Sequence, residues 1–319
     1  MNNDKVLITG ANGFVGHALS KNLSLSGKHN VLALVRREIE NTISNTSYIR
    51  IKDLSNSSEL AKHLNGIETI IHCAARAHIL HDTEANPLTT FRKINTENTL
   101  NFAQLAALAG IKRFIFISSI GVNGSYTIAG TLFAENTQPK PHNAYAISKW
   151  EAEQGLMNIA AETGLEVVII RPPLVYGYNA PGNFGSLVKA ITRGIPLPLK
   201  NINNQRSFIA LDNLIDFIIT CATHPNAANQ TFLISDGHDL STPDLIRGIA
   251  SAAGVPARLF PMPTWALQMS GNLLGKGDAI QRLCGNLQVD ISKARDLLGW
   301  TPLISVEEGL KRAVGNIEK

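Results

Sequence analysis

The sequence predicts an α/β protein with a doubly wound parallel sheet and a smaller, mixed α/β C-terminal domain. Three observations predict this fold class. Strand-length apolar runs alternate with helix-length amphipathic segments through the first half of the chain. A glycine-rich turn joins the first predicted strand to the first predicted helix. Gly, Pro and Asn cluster after Pro172-Pro173, as shorter elements joined by loops require.

Strands and helices are expected to alternate in the first half. The runs rich in Val, Ile and Phe that we predict as strands are residues 5–9, 30–35, 48–51, 69–72, 113–118 and 166–171. The segments with helical periodicity are residues 14–26, 58–65, 91–109 and 145–163. This alternation predicts right-handed crossovers and helices on both faces of the sheet.

The composition is that of a globular enzyme. Of 319 residues, 44% are hydrophobic and 17% are charged, which excludes a disordered chain. The apolar runs are far shorter than the ~18–20 residues of a helical membrane span, and we expect no secretory signal. Three scattered cysteines (Cys73, Cys221 and Cys284) form no disulfide framework, so a reducing cytoplasm is the expected location. The formal net charge of +4 does not predict nucleic-acid binding, but it suits an anionic substrate.

The glycine-rich turn has the sequence Gly10-Ala11-Asn12-Gly13-Phe14-Val15-Gly16. Glycines here allow a tight turn, close approach of the backbone to a pyrophosphate, and close packing of helix on strand. The helix N-terminus presents free N–H groups to the phosphates. We therefore predict a dinucleotide, NAD(P), bound at Gly10, Asn12, Gly13, Phe14, Val15 and Gly16.

The end of the second predicted strand bears on the choice of dinucleotide. A chain that binds NAD usually has an acidic residue there, whereas this chain has Val35 followed by Arg36-Arg37. Guanidinium groups can donate charge-assisted hydrogen bonds to a 2′-phosphate. NADP(H) is therefore predicted in preference to NAD(H); the alternative is that both arginines are solvated surface residues. Further along, Cys73-Ala74-Ala75 is small enough for the cofactor to lie across the sheet.

A hydride-transfer site is predicted at Tyr145 and Lys149, which lie four residues apart on one helix face. A nearby ammonium lowers the pKa of a phenol from about 10. Tyr145 can then exchange a proton with a carbonyl or carbinol oxygen while a nicotinamide exchanges hydride. Ser118-Ser119 ends the fifth predicted strand, where a hydroxyl can hydrogen-bond the same oxygen. We therefore expect a dehydrogenase-type site in which Tyr145 and Lys149 also contact the cofactor.

Taken together, these motifs resemble those of the NAD-dependent epimerase/dehydratase family, extended short-chain dehydrogenases that act on nucleotide sugars. The resemblance covers essentially the whole chain. Within the family it is nearest to 4-epimerases and 4-keto reductases of bacterial surface-polysaccharide synthesis. The later motifs that carry it are Arg171-Pro172-Pro173-Leu174-Val175-Tyr176-Gly177, Arg206-Ser207-Phe208 and Asp290-Ile291-Ser292-Lys293-Ala294-Arg295.

The resemblance implies further site residues. It makes Ser119, rather than Ser118, the catalytic hydroxyl. On the cofactor side it implies Asp53-Leu54 as the adenine contact, Pro172, and Asn95 as a structural or proton-relay residue, for which helix packing is the alternative. On the substrate side the implied residues are Asn183, Arg206 and Arg282, although the spacing from Arg282 to Asp290 departs from the family pattern. The alternative for each arginine is a surface ion pair.

One departure from the family pattern removes a reaction. Sugar dehydratases of the family carry Asp-Glu directly after the catalytic hydroxyl residue, where this chain has Ile120 and Gly121. Hydride exchange at one carbon remains. The favoured prediction is NADPH-dependent reduction, at C4, of a UDP-4-keto-6-deoxy-N-acetylhexosamine. The alternatives are a UDP-glucose or UDP-N-acetylglucosamine 4-epimerase, reduction of a non-sugar ketone, and, as a minor one, a non-catalytic NADP-binding sensor.

Two domains are expected. Residues 1–177 form a Rossmann-type NAD(P)-binding domain, to which residues 207–236 return because residues 231–234 are predicted as a further strand. Residues 178–206 and 237–319 form the smaller nucleotide-sugar domain, with a helix starting at Pro243-Asp244-Leu245 and another over residues 292–298. Residues 125–143 lie between Ser119 and Tyr145, so we expect them to border the substrate as a lid.

The expected partners are few. No metal is expected, because His72, His78, His81 and Asp82 lack a convincing ligand set; whether His78 touches substrate stays open. The resemblance implies a homodimer through the helix of Tyr145 and the helix before it. We expect neither nucleic acid nor a membrane as a partner.

Overall fold

The computed structural model describes residues 4–37, 42–77, 86–273 and 277–315. Seven of its strands form one sheet in which every paired neighbour is parallel. Two more strands form a separate parallel pair. The strands are β1 (Asp4–Thr9), β2 (His29–Val35), β3 (Thr46–Arg50), β4 (Thr69–His72), β5 (Arg113–Ile117), β6 (Glu166–Arg171), β7 (Leu174–Tyr176), β8 (Phe208–Ala210) and β9 (Gln230–Leu233).

The order of the large sheet is β3-β2-β1-β4-β5-β6-β9, which confirms the predicted doubly wound parallel sheet. The chain builds outward from β1 to β3 and then crosses back to place β4 on the other side of β1. The carboxyl ends of β1 and β4 therefore flank the point at which strand order reverses. Ligands of open α/β sheets bind in the crevice at such a point.

Helices cover both faces of the sheet and build the C-terminal part. The described helices are α1 (Phe14–Ser26), α2 (Ser57–Ala61), α3 (Pro87–Phe91), α4 (Asn98–Leu108), α5 (Ala144–Thr163), α6 (Gly182–Thr192), α7 (Leu211–Thr223), α8 (Thr242–Ala252), α9 (Thr264–Leu273), α10 (Gly277–Cys284), α11 (Ser292–Leu298) and α12 (Val306–Val314). No helix in these described stretches has the length and apolar character needed to cross a membrane.

The sheet separates two apolar cores. Val6 and Ile8 of β1 pack into a core with Phe217 of α7, whereas Leu7 packs into a second core with Phe102 of α4. Successive strand residues point to opposite faces, so alternate residues of one buried strand serve different cores. Fully burying side chains of this size contributes about 1.5–3 kcal/mol each. The sheet is therefore a rigid platform for the residues at its carboxyl edge.

One predicted helix is divided in the structure. Residues 91–109 form the end of α3, a π-helical segment (Arg92–Glu97) and α4. The wider turn lies where Asn95 is buried, and its side chain bonds the backbone of Arg76. A buried polar side chain that must reach a distant partner gives a physical reason for the local departure from α-helical spacing.

The C-terminal half combines two kinds of element. β9 pairs with β6 in the large sheet and begins one residue earlier than the predicted strand. β7 and β8 pair with each other in a separate two-stranded sheet. A third apolar core is built largely from α6, α8 and α12. The helix predicted over residues 292–298 is confirmed as α11, and Gly299 ends it in the left-handed conformation (φ 64°).

Candidate active site

The glycine turn is held by contacts that leave no room for side chains. Gly10 has φ +67°, and a Cβ there would lie 2.8 Å from the backbone nitrogen of Ala74. A Cβ on Gly16 would lie 2.2 Å from the carbonyl oxygen of Gly10. Both positions therefore require glycine, and Gly10 brings the turn against the segment that follows β4.

The turn leads directly into α1 without a side-chain cap. Asn12 and Gly13 are exposed, and the backbone N–H of Gly13 donates to the carbonyl of Gly10 at 2.8 Å. Phe14 and Val15 form the first turn, whose N–H groups point out of the helix end. This arrangement fits the pyrophosphate of a dinucleotide.

The ends of β2 and β3 lie side by side at the same edge, because Val35 is in register with Arg50. Val35 is buried, whereas Arg36 and Arg37 are exposed beyond it. Three residues after the neighbouring strand β3, Asp53 is exposed and accepts a hydrogen bond from the Ser55 backbone N–H at 2.9 Å. Hydrogen bonds from Ser55 lower the pKa of Asp53. Leu54 next to it is half-buried. Arginines and a carboxylate thus lie on adjoining strand ends.

His72, at the end of β4, organises the segment that meets the glycine turn. Its Nδ1 lies 3.0 Å from Oγ1 of Thr9, and its Nε2 lies 3.1 Å from Oγ1 of Thr99. The Ala74 N–H donates to the same Thr9 oxygen at 3.2 Å. Burial, and secondarily the charge of Lys149, lower the pKa of His72 to about 3, so the ring is neutral. His72 thereby fixes Ala74 and its half-buried neighbour Ala75 beside Gly10.

Cys73, between His72 and Ala74, has no reactive thiolate near neutral pH. Burial raises the pKa of the Cys73 thiol to about 12, as for a packed small side chain. His78, His81 and Asp82, considered above for metal or substrate contact, lie outside the described residues.

Tyr145 lies in the first turn of α5, and Lys149 lies one turn further along. The helix is capped by Asn143, whose side-chain oxygen accepts from the Ala146 N–H at 2.8 Å. The Nζ of Lys149 donates to the carbonyl of Ile117 at 2.8 Å and lies 4.1 Å from the Phe116 ring centroid. Burial lowers the pKa of Lys149 to about 7, although the charges of Glu153 and Cys73 oppose this shift.

The pKa of Tyr145 shifts in the direction opposite to the predicted one. Burial raises the pKa of Tyr145 to about 12, whereas we predict a lowering by Lys149. The ammonium of Lys149 is directed to the Ile117 carbonyl, and near neutral pH this lysine is only partly charged. Its charge therefore does not offset the desolvation of the phenolate. In the described structure Tyr145 is a protonated phenol.

The two serines after β5 have different surroundings. Ser118 is buried, and its hydroxyl donates to the Glu153 carboxylate. Ser119 is half-buried, and its hydroxyl accepts a hydrogen bond from the Gly121 N–H at 3.1 Å. A Cβ on Gly121 would lie 3.3 Å from Oγ of Ser119 and 3.5 Å from Cβ of Ala146. The Ser119 hydroxyl and the first turn of α5 therefore meet at Gly121.

The segment that carries Ser119 is tied to β6. The Ile120 N–H donates to the Pro172 carbonyl at 3.0 Å, and Pro172 is buried. Arg171 forms a buried ion pair with Glu153 and donates to Oδ1 of Asn123 at 2.9 Å. These bonds hold the turn Ile120–Val122 between strand β6 and helix α5.

Asn95 connects α5 to the chain after β4. Its oxygen accepts from the Arg76 N–H at 2.8 Å, and its Nδ2 donates to the Arg76 carbonyl and to the Ser148 hydroxyl, each at 3.1 Å. Ser148 in turn donates to the carbonyl of Tyr145 at 2.8 Å. The amide of Asn95 is thus used to position Tyr145; a contact of Asn95 with the cofactor stays a prediction.

Two guanidinium groups approach each other in the C-terminal half. Arg206 is half-buried and donates to the Gly285 carbonyl at 2.9 Å. Burial, and then the charge of Arg282 in the last turn of α10, lower the pKa of Arg206 to about 10. Guanidinium groups placed near each other in this way have the chemistry that suits an anion such as a diphosphate. Asn183 lies apart from them along the chain, exposed in the first turn of α6.

The sequence pattern of the NAD dependent epimerase/dehydratase family matches residues 6–235. The chain belongs to this family. It is therefore an enzyme of the extended short-chain dehydrogenase/reductase type, as its motifs predict. The match begins at the third residue of β1 and ends two residues after β9, so it includes all or most of every strand of the seven-stranded sheet.

Relatives of this family member include two 4-epimerases. A UDP-glucose 4-epimerase from Vibrio cholerae is 44% identical over 308 residues, which cover 96% of this chain and 93% of the relative. An N-acetyl-alpha-D-glucosaminyl-diphospho-ditrans,octacis-undecaprenol 4-epimerase from Escherichia coli O157:H7 is 25% identical and covers 98% of this chain and 95% of the relative.

Solved structures show the same fold. A UDP-glucose 4-epimerase with UDP-glucose from Thermotoga maritima has a TM-score of 0.79 at 23% identity, and the match covers 97% of each chain. A UDP-glucuronic acid 4-epimerase from Bacillus cereus in complex with NAD has a TM-score of 0.78 at 22% identity, covering 97% of this chain and 95% of that one.

The sequence does not predict the structural roles of three residues near the site: Glu153 belongs to no motif, Arg171 enters only as part of a family motif, and His72 only as a rejected metal ligand. His72, Glu153 and Arg171 are buried polar residues that hold Ala74, Ser118 and Asn123. A signal was available, since a charged or polar residue within a run predicted to be buried needs a partner. Which partner it takes depends on the fold.

Proposed function

We propose that this enzyme is a nucleotide-sugar 4-epimerase that binds an NAD-type dinucleotide at the glycine turn. One observation carries the proposal. Tyr145 and Ser119 supply hydroxyls for hydride exchange at one carbon, and the next residues, buried Ile120 and Gly121, supply no acid or base for dehydration. The similarity to the Vibrio cholerae UDP-glucose 4-epimerase supports the same reaction.

The proposed roles follow from the chemistry of each residue. Arg206 and Arg282 bind the diphosphate of a UDP-sugar through planar guanidinium donors. Ser119 donates a hydrogen bond to the sugar O4. Tyr145 is a phenol in the described structure, so it must first release its own proton to solvent, which the positive charge of a bound oxidised nicotinamide would favour. The phenolate of Tyr145 then takes the O4 proton as C4 is oxidised. After the 4-keto sugar turns its other face, Tyr145 returns the proton to O4. When bound, the dinucleotide supplies the reversible hydride acceptor for C4. Protons and electrons are both returned, so no cofactor is consumed.

A second candidate is the NADPH-dependent reduction of a UDP-4-keto-6-deoxy-N-acetylhexosamine. The observation that favours it is the exposed pair Arg36 and Arg37 after buried Val35, where a carboxylate would repel a 2′-phosphate. Each good hydrogen bond from a guanidinium to that phosphate contributes about 1.5–3 kcal/mol. The two candidates share Tyr145, Ser119 and Lys149, so they differ in cofactor use and not in proton chemistry.

The experiment compares the two reactions directly. UDP-glucose and UDP-N-acetylglucosamine are incubated with purified protein without added reduced nicotinamide, and the 4-epimer is measured by NMR. In parallel, the 4-keto sugar is added with NADPH, and loss of reduced nicotinamide is followed by absorbance. We expect the 4-epimer to form without net cofactor consumption. Stoichiometric NADPH oxidation without epimer formation would replace the epimerase with the reductase.

Two variants assign the roles. Tyr145→Phe should lower turnover by about 10²–10⁴-fold while leaving dinucleotide binding unchanged, because only the exchangeable proton is lost. Full turnover in this variant would contradict the proposal. Replacing Arg36 and Arg37 by Ala should weaken NADP(H) binding much more than NAD(H) binding if the pair contacts a 2′-phosphate. Equal effects would identify the pair as solvated surface residues.

A further inference from the structure

Two segments of the C-terminal half contain basic residues but no acidic ones. Residues 178–211 and 245–277 contain seven Lys or Arg and no Asp or Glu. Because the whole chain has a formal net charge of only +4, the remaining sequence is net acidic. The positive charge is therefore concentrated in two segments.

These two segments lie together in the fold. The Leu197 N–H donates to the Arg258 carbonyl at 2.8 Å, and the Phe260 N–H donates to the Leu197 carbonyl at 3.0 Å. The Lys200 N–H then donates to the Phe260 carbonyl at 3.2 Å. A Cβ on Gly194 would lie 3.5 Å from the guanidinium carbon of Arg258. Arg193, Lys200 and Arg258 thus belong to one stretch of surface.

These three cations are available to an external anion. Arg193, Lys200 and Arg258 are all exposed. Throughout the part of the chain that the structure describes, none of the three forms an ion pair with a carboxylate. By contrast, Arg247 in the same region pairs with Asp244.

Large apolar side chains are exposed on the chain that follows Arg258. Phe260 is 40% exposed, and α9 begins four residues later with Trp265 at 64% and Met269 at 57%. Trp265 and Met269 lie one helical turn apart and so share a face. Leu267 lies between them in sequence and is buried in the third apolar core. Its burial leaves Trp265 and Met269 on the outward face of α9. We call Arg193, Lys200, Arg258, Phe260, Trp265 and Met269 the basic–apolar face.

We propose that the basic–apolar face docks this enzyme on an anionic lipid bilayer. A surface that combines exposed aromatic and apolar side chains with Lys and Arg binds in the headgroup region, where its cations attract anionic lipids. A second copy of the same face would repel the first through its charges. A nucleic acid or acidic protein would satisfy the cations but gives no reason for Met269 to be exposed.

Docking on a bilayer is contrary to our expectation from the sequence that this protein has no membrane partner. That expectation rests on the lack of a long apolar run, whereas surface docking requires only one helix face.

The location of the basic–apolar face has a consequence for the anion site of Arg206 and Arg282. α9 packs against α10, which carries Arg282 beside Arg206. A docked enzyme therefore holds its anion site close to the bilayer; this consequence alone rests on the proposed function.

The test uses the full chain and sedimentation with vesicles. Vesicles of phosphatidylglycerol and phosphatidylcholine are compared with phosphatidylcholine alone, each at low and high salt. We expect binding to the anionic vesicles only, weakened by salt. Replacing Arg193, Lys200 and Arg258 by Gln should lower the partition coefficient about fivefold for each charge removed. Replacing Trp265 and Met269 by Ser should lower it at least about tenfold.

Matched controls separate this face from general charge and hydrophobicity. Lys21→Gln and Lys62→Gln remove exposed charges elsewhere, and Leu303→Ser removes an apolar side chain that is 65% exposed. These variants should bind anionic vesicles like the unaltered protein. All variants should keep the far-ultraviolet circular dichroism and the thermal unfolding temperature of the unaltered protein.

A spectroscopic measurement tests insertion. Trp300 is buried and Trp150 half-buried, so a change in tryptophan emission on docking reports Trp265. Emission should shift to the blue with anionic vesicles and be quenched by brominated lipid, and Trp265→Phe should abolish both effects. Absence of vesicle binding, binding unaffected by either set of substitutions, or binding to DNA without any change in Trp265 emission would each overturn docking. The vesicle assay contains no sugar, so its result can be interpreted even if the epimerase assay fails.

Discussion

Glu153 and Arg171 form a buried ion pair that joins the helix of Tyr145 to the strand beside Ser119. The Nη2 of Arg171 lies 2.5 Å from Oε2 of Glu153, and both side chains are almost fully buried. The same carboxylate accepts from Ser118, while Arg171 also donates to Asn123. Glu153 is therefore a positioning residue, because it fixes α5 relative to the turn that follows Ser119.

Glu153→Gln should destabilise the protein and slow the reaction. It leaves the Arg171 guanidinium buried without a carboxylate, and breaking a buried pair in this way costs about 3–5 kcal/mol. Ser119 should then shift relative to Tyr145, so kcat should fall while KM for the sugar changes little. Urea unfolding and steady-state kinetics measure the two effects.

Replacing both Glu153 and Arg171 by Met is the matched control. A buried ion pair exchanged for apolar side chains is often neutral in stability. The double variant should regain most of the free energy of unfolding, but not the turnover, because Ser118 and Asn123 have lost their polar partners. A Glu153→Gln protein as stable and active as the original would show that the pair holds neither element.

Gly16→Ala should impair the dinucleotide site. The added Cβ would lie 2.2 Å from the Gly10 carbonyl oxygen, so the turn must move. Overpacking of this kind costs about 1–3 kcal/mol of stability. The affinity for NAD and NADP, measured by calorimetry, should fall further than stability because the α1 N-terminus is displaced. Lys21→Ala, at an exposed position of the same helix, should change neither quantity. Unchanged affinity in Gly16→Ala would place the pyrophosphate elsewhere.

Much of the fold is predictable because its causes are local. α11 ends where predicted because Gly299 adopts φ 64°, which glycine tolerates. The π-helical segment was missed because its cause is the bond between Asn95 and Arg76, 19 residues away in sequence. Helical periodicity contains no signal for such a partner.

The candidate active site, like the fold, is predictable only where its causes are local in sequence. The glycine turn and the spacing of Tyr145 and Lys149 are visible in the sequence. The pKa of Tyr145 was predicted in the wrong direction because it depends on where Lys149 points, and Lys149 points to the Ile117 carbonyl. Likewise, Glu153 lies 35 residues from Ser118, and only the fold brings them together.

Arg206→Met should weaken the binding of UDP. Loss of a guanidinium hydrogen-bonded to phosphate costs about 1.5–3 kcal/mol, or roughly 10–150-fold in Kd. The unliganded protein should lose little stability, because repulsion between Arg206 and Arg282 is relieved. Calorimetry with UDP and thermal unfolding with and without UDP measure both quantities. Arg247→Met, which removes an exposed arginine on α8, is the control. Equal UDP affinity in Arg206→Met and the control would remove Arg206 from the anion site.

Lys149 should make the protein more stable as the pH rises above neutral. Its pKa is about 7 in the folded chain because burial disfavours the ammonium, against an ordinary value of about 10.4 in the unfolded chain. Between these values the unfolded chain binds a proton that the folded chain does not, so the free energy of unfolding increases with pH. From pH 7 to pH 9 this lysine alone should add about 2 kcal/mol. Lys149→Met should remove that slope and raise stability at pH 7 while abolishing turnover, whereas Lys21→Met should retain the slope. Urea unfolding at both pH values is the measurement. Identical pH dependence in Lys149→Met and the original protein would show that the buried lysine carries its charge without penalty.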